Sequence, residues 1–204
     1  MPLPTLILAS ASPRRSELLA GLGIDFECRP VEIDESLRSR ESPAGYVARL
    51  AAEKAKAASA ADGDLVLAAD TIVELDGVLL GKPRDSGHAV ETLRRLSGRE
   101  HRVLTGVSLL EAGSGRVVSE VQETRVTMKR FTERELEWYV ATGETDDKAG
   151  AYALQGLGAL FVEGLAGNNT NVIGLPLPVV YRLFERLGYD QPDREARGVD
   201  VPPW

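Results

Sequence analysis

The chain reads as an α/β protein in which strands and helices mix without a strict strand–helix–strand rhythm. Three observations predict this class. Leu6–Ala9 is an apolar run of strand length that turns straight into a helix. A second such run, Leu65-Val-Leu-Ala-Ala69, follows a helical stripe and ends abruptly in Asp70-Thr71. Arg102 to Leu110 and Arg116 to Met128 alternate partially around a turn at Glu111–Gly115, the pattern of a long hairpin.

Taken in order, Ser12 is an N-cap and Pro13 a first helical residue, with Leu18, Leu19 and Leu22 as the apolar face and Gly21 and Gly23 as stops. In Asp25 to Arg40, Phe26, Val31 and Ile33 suggest a strand leading into a charged loop. Ser42-Pro43 opens a helix running to about Ala61, whose stripe is Val47, Leu50, Ala51 and Ala58. Ile72 to Leu75 continues the second strand, Asp76-Gly77 is a hairpin turn, and Val78–Leu80 returns. Asp85 or Ser86 caps a helix carrying Ala89, Val90, Leu93 and Leu96, stopped by Gly98. Thr132 and Glu135 form a capping box for a helix ending near Gly143. A glycine-rich stretch, Ala149 to Gly158, precedes an expected strand from Ala159 to Leu165, a polar turn at Asn168–Asn171, and a last helix from Leu175 to Leu187. Residues 1–190 read as one domain, and 191–204 as a polar C-terminal tail.

Composition excludes several classes. Hydrophobic content of 43% and charged content of 27% are ordinary for a globular protein. A net charge of −7 argues against a nucleic-acid coat, which needs a basic face, though not against a small cationic pocket. No apolar run reaches the length of a membrane span, and no secretory signal is visible. One cysteine, Cys28, permits no intrachain disulfide and suits a reducing cytoplasm. Two histidines, His88 and His101, exclude a histidine-rich metal site.

The residues that fit their local setting badly carry the functional signal. Arg14 and Arg15 sit in the first turn of a helix, where the macrodipole disfavours cations by roughly 0.3–1 kcal/mol each. They are either solvated surface residues or the receiving end for a polyanion. Lys54 falls in the middle of an apolar stripe, so it either snorkels to water or reaches an anion in a pocket. Asp70 interrupts an apolar run and needs hydrogen bonds, a cation or a metal. Asp34-Glu35 could face a metal or lie in a solvated loop. The chain has 19 arginines and only 5 lysines, which makes Lys54 and Lys82 more telling. Arg14, Arg15, Lys54 and Lys82 would neutralise most of a nucleoside triphosphate, whose charge is about −4 near neutral pH. Asp70 and Glu35 could hold a divalent metal that bridges phosphate oxygens, and Asp70 could take a proton from an attacking water. Gln155 offers a donor and an acceptor to the imide edge of uracil or thymine. No P-loop is present.

These residues stand in motifs that resemble the Maf family of nucleotide pyrophosphatases. The resemblance lies in Ser10-Ala-Ser-Pro-Arg14-Arg15, Glu53-Lys54-Ala55, Ala69-Asp70-Thr71, Gly81-Lys82-Pro83, Asp147-Lys148-Ala-Gly-Ala-Tyr, Gln155-Gly and Asn171-Val-Ile-Gly-Leu-Pro-Leu177, in order from about Leu6 to Gly188. It implies an extended mixed β-sheet with flanking helices and two lobes around a central cleft. It also implies hydrolysis of a nucleoside triphosphate to the monophosphate and pyrophosphate with Mg2+ or Mn2+. By position, Asp70 becomes the general base and a metal carboxylate, and Glu35 its metal partner. Ser10, Arg14, Arg15, Lys54 and Lys82 become triphosphate contacts. Arg14, Thr71 and Gln155 occupy the positions that separate subfamilies, and their combination resembles the dTTP/UTP group. The sister group acting on 7-methyl-GTP, and a nucleotide-binding division regulator with little catalysis, are the alternatives. Family dimers make a homodimer an expectation. Asn168-Asn-Thr170 departs from the serine-containing turn of the family.

Overall fold

The computed structural model describes residues 4–189, so the expected tail at 191–204 lies outside the described residues. The strands are β1 (Leu6–Leu8), β2 (Glu27–Cys28), β3 (Leu65–Leu75), β4 (Val78–Leu80), β5 (Glu100–Glu111), β6 (Arg116–Met128) and β7 (Val162–Ala166). The helices are α1 (Pro13–Ala20), α2 (Pro43–Ala57), α3 (Ser86–Leu96), α4 (Glu133–Ala141), α5 (Asn169–Ile173) and α6 (Leu177–Leu187). Among the described residues they form one mixed seven-stranded sheet of order β2-β1-β3-β5-β6-β7, with β4 added to β3. β1 pairs in parallel with β2 and β3, and the remaining pairings are antiparallel. No helix among the described residues is long and apolar enough to cross a membrane.

β3 organises this sheet. It is buried along almost its whole length, as its near-continuous apolar run requires. Its edge changes partner midway. β1 covers Leu65–Leu67 and β4 covers Val73–Leu75, so the backbone between them has no strand on that side. Side chains alternate across the sheet. Val66, Ala68 and Ile72 face α2, where they meet Val47, Ala55 and Ala58. Leu65, Leu67 and Ala69 face α6 and Leu19 of α1. Val73 and Leu75 continue on that same face into a separate core with Leu93 of α3 and Tyr139 of α4. Two cores therefore share one face of the sheet, and the gap in the β3 edge lies between them.

Four sequence expectations shift. Only Glu27–Cys28 pairs as a strand, because the following loop makes its bonds to α2 instead. α2 ends at Ala57, with Ala58 extended, because Asp64 Oδ2 accepts from Ala61 N in a turn that feeds β3. Leu157–Phe161 is a 3-10 turn ahead of β7. Asn168 caps the short helix α5 by accepting from Asn171 N at 2.8 Å, so the polar stretch starts a helix.

Gly106 on β5 is the residue that lets α2 lie against the sheet. A Cβ built there would overlap the backbone carbonyl of Val47, which cannot yield as a flexible side chain would. Gly106→Ala is expected to cost on the order of 2–3 kcal/mol and lower Tm by roughly 4–12 °C, measured by thermal denaturation.

Candidate active site

The gap in the β3 edge opens into a cleft of about 620 Å³. It lies past the carboxyl end of the parallel strand β1, where the sheet changes pairing, a common ligand position in open α/β sheets. Nine residues singled out from the sequence line it: Ser10, Arg14, Arg15, Glu35, Lys54, Asp70, Thr71, Lys82 and Gln155. Asp34, raised together with Glu35, does not; its Oδ1 accepts from Ser36 N at 2.9 Å.

Asp70 and Thr71 are consecutive on β3 and so point to opposite faces. Asp70 points to the α2 side, opposite Gly106 in register. Lys54 comes from α2 two turns beyond Val47 and reaches it, with Nζ 2.7 Å from Asp70 Oδ1. The same ammonium is 2.6 Å from Glu35 Oε1. Burial pushes the Asp70 carboxyl above the usual carboxylate range, although Lys54 and Arg15 pull it down. Glu35 lies in an irregular loop, and α2 holds that loop by its backbone. Tyr46 Oη donates to the Glu35 carbonyl at 2.8 Å, and Arg49 Nη2 to the Ser36 carbonyl at 3.1 Å. Arg49 is itself fixed by Glu41 and Glu53.

The donor set suits a hard divalent cation. Two carboxylates already converge on one cationic nitrogen. Mg2+ is commonly bound by one or two carboxylates together with substrate phosphates. Among the described residues no group of three acidic, histidine or cysteine side chains gathers to hold a metal alone. Glu35 and Asp70 are the two carboxylates here that would hold such a cation.

Thr71 faces the other side. Its Oγ1 accepts from Arg15 Nη2 at 3.1 Å and lies 3.0 Å from Thr105 Oγ1. The rest of the Arg15 guanidinium is also engaged. Nε donates to Gly174 O at 2.8 Å, while Nη1 donates to Ala69 O at 2.7 Å and Ser10 Oγ at 3.2 Å. The two arginines, both expected as triphosphate contacts, thus differ in setting. Arg15 fastens α1, the loop after β1, β3 and the turn after α5 to one another, with most of its donors used inside the protein. Arg14 extends across the cleft, where Nη1 is 2.9 Å from Asp147 Oδ2.

Lys82 and Gln155 are exposed, and neither side chain has a hydrogen-bond or ion-pair partner among the described residues. Lys148 is a further cation of the cleft, its side chain only 14% exposed. Its ammonium lies 2.6 Å from Asp147 Oδ1. Burial alone would raise the Asp147 carboxyl, but Lys148 and Arg14 hold it down at about 2. The Asp147-Lys148 motif signals these residues without revealing which way they point.

The profile of the family described as Maf-like protein matches residues 5–187. A dTTP/UTP pyrophosphatase of Syntrophus aciditrophicus is 49% identical, covering 93% of this chain and 95% of that one. One of Anaeromyxobacter dehalogenans is 50% identical, covering 93% and 97%. One of Myxococcus xanthus is 50% identical, covering 94% and 96%. A solved nucleoside-triphosphatase / dITP/XTP pyrophosphatase from Mycobacterium abscessus overlaps 62% of this chain and 75% of its own, at 18% identity and a TM-score of 0.40, a likeness too partial to carry an argument.

The geometry of Arg15 sets a test. A lysine retains the charge but cannot bridge Thr71, Gly174, Ala69 and Ser10 together. Arg15→Lys is expected to cost on the order of 3 kcal/mol, read as a Tm lower by roughly 6–12 °C.

Proposed function

The chain belongs to the Maf-like protein family, and we propose that it is a metal-dependent, cytoplasmic pyrophosphatase hydrolysing dTTP and UTP to the monophosphate and pyrophosphate. The observation that carries this reading is the convergence of Lys54 on Asp70 and Glu35 at the floor of the cleft. Around it stand further cations suited to a triphosphate and an unpaired amide suited to a pyrimidine. The names of relatives about half identical to this chain support the substrate class.

In this reading Arg14, Lys82 and Lys148 bind the phosphate chain, with Arg14 and Lys148 leaving Asp147 for phosphate oxygens. Ser10 Oγ contributes near the N-terminus of α1, where free N–H groups favour an anion. Asp70 takes a proton from the water that attacks the α-phosphorus, and the α–β bridging oxygen leaves with pyrophosphate. Its raised pKa makes it a better base than an ordinary aspartate. Lys54 orients the Asp70 carboxylate and limits that rise. Glu35 and Asp70 would hold Mg2+ or Mn2+, which supplies Lewis-acid stabilisation of charge on the phosphate oxygens. Thr71 and Gln155, with Arg14, bound the base; the Gln155 amide offers complementary groups to the imide edge of uracil or thymine.

Pyrophosphate release across dTTP, UTP, CTP, GTP and 7-methyl-GTP with Mg2+ or Mn2+ tests the assignment. Preference for dTTP and UTP is expected. Release only from 7-methyl-GTP would place the enzyme in the sister group, and binding without release would make it a regulator. Gln155→Glu places an acceptor-only group against the pyrimidine, and its kcat/KM for UTP is expected to fall about tenfold or more relative to that for GTP. Asp70→Asn should lower kcat by about 10²–10⁴. The folded state holds the Asp70 proton more tightly than the unfolded chain, so ionising this carboxyl costs stability as pH rises from the unfolded pKa through the raised folded one. The Asn variant escapes that cost, and its Tm at neutral pH is expected to be no lower than the parent's.

A further inference from the structure

Gln155 sits at the tip of a tight loop whose two ends are fastened to the same pair of side chains. On the entering side, Ala153 N donates to Tyr139 Oη at 3.1 Å. On the leaving side, Leu157 N donates to Glu144 Oε2 at 2.9 Å and Gly158 N to Glu144 Oε1 at 2.8 Å. Tyr139 Oη donates to Glu144 Oε1 at 2.8 Å and closes the circuit. One carboxylate therefore receives three donors, two of them backbone. Burial works to raise the Glu144 carboxyl, but the Leu157, Gly158 and Tyr139 bonds leave it below the usual range.

Both glycines of the loop are needed for this closeness. Gly156 has φ +87°, and a Cβ there would meet Glu144 Oε2 at 2.5 Å. A Cβ on Gly158 would overlap the Ala153 carbonyl and meet Tyr139 Oη at 2.5 Å. The clamp itself is anchored in the second core, where Tyr139 is buried and its ring lies 5.2 Å from that of Phe161. Tyr139, Glu144, Leu157 and Gly158 do not line the cleft; Ala153, Leu154 and Gln155 do.

We propose that Glu144 and Tyr139 are positioning residues that lock the 153–158 loop and so fix how far the Gln155 amide stands from the opposite wall, restricting the site to a single pyrimidine ring. This rests on the reading of Gln155 as the base-reading residue. The clamp touches neither phosphate nor the Lys54–Asp70 pair. Loosening it should degrade recognition of the base while leaving the chemistry in place.

Glu144→Gln replaces one accepting oxygen with an NH2 group that faces a backbone N–H. Tyr139→Phe keeps the ring and removes the bridging hydroxyl. For each variant, kcat and KM are measured with UTP and GTP in the presence of Mg2+, and amide exchange is followed by mass spectrometry over residues 153–158. Expected are faster exchange in that segment, a KM for UTP raised about tenfold, a UTP-over-GTP preference reduced about tenfold, and kcat for UTP within about threefold of the parent. Unchanged selectivity despite faster exchange would overturn the proposal. So would an equal fall in kcat for both nucleotides with no change in preference, which is the signature of a merely structural role. If Glu144→Gln fails to fold, Tyr139→Phe decides alone. A parent enzyme that ignores UTP defeats the underlying reading instead, a result visible before any variant is made.

Discussion

The pairing of Lys54 with Asp70 is the interaction on which the rest of the site depends. A carboxylate in the middle of a buried strand is costly to ionise, and a lysine on the apolar face of a helix is costly to leave unmatched. Each resolves the other's problem, but only if α2 lies close enough to β5 and β3 for a 2.7 Å contact. Gly106 provides that closeness by presenting bare backbone to Val47. The resolution is incomplete, since Asp70 remains harder to ionise than a solvated aspartate. A protein selected only for stability would use a neutral pair here. Keeping the carboxylate preserves an acidic group whose proton affinity is raised and whose direction is set by Lys54.

The alternation of β3 then divides the work. Asp70 faces α2, with Lys54 and the loop carrying Glu35. Thr71 faces Arg15, Thr105 and the backbone of Gly174. The first side is built from charges that can exchange partners when an anion enters. The second is built from an arginine bonded to neutral oxygens. The edge of β3 between β1 and β4 is where the two sides meet, so a single extended ligand can touch both.

What could be read from the sequence follows the same division. Arg14 and Arg15 at a helix start, Lys54 on an apolar stripe and Asp70 inside an apolar run all conflict with local rules, and the structure brings all four to one cleft. Conflict of that kind is visible without coordinates. The different situations of Arg14 and Arg15 were not visible, because adjacent residues on a helix differ by 100° and only the neighbours reveal which faces inward. Glu144 gave no signal at all. It lies in a polar turn where a glutamate is unremarkable, and its partners are backbone N–H groups that any sequence supplies. The overlong estimate for α2 has a similar cause. The alanines from Ala57 to Ala61 favour helix by propensity, and the turn that ends it depends on the Asp64 side chain three residues further on.

Charge within the cleft gives the site its logic as an anion receiver in an acidic protein. Arg14, Arg15, Lys54, Lys82 and Lys148 line it, against Glu35, Asp70 and Asp147. Five cations facing three carboxylates leave an excess of two positive charges in a chain whose net charge is −7. A triphosphate of about −4 would overfill that excess by two, the charge that a divalent cation would restore. In the proposed function, neither the nucleotide nor the metal alone would bring the cleft to neutrality, whereas the two together would. Three of the cations, Arg14, Lys54 and Lys148, pair with the three carboxylates through the Arg14–Asp147–Lys148 and Glu35–Lys54–Asp70 groupings. Each grouping spans segments far apart in sequence, so the charges that would receive the substrate also hold the walls of the cleft in register before it arrives.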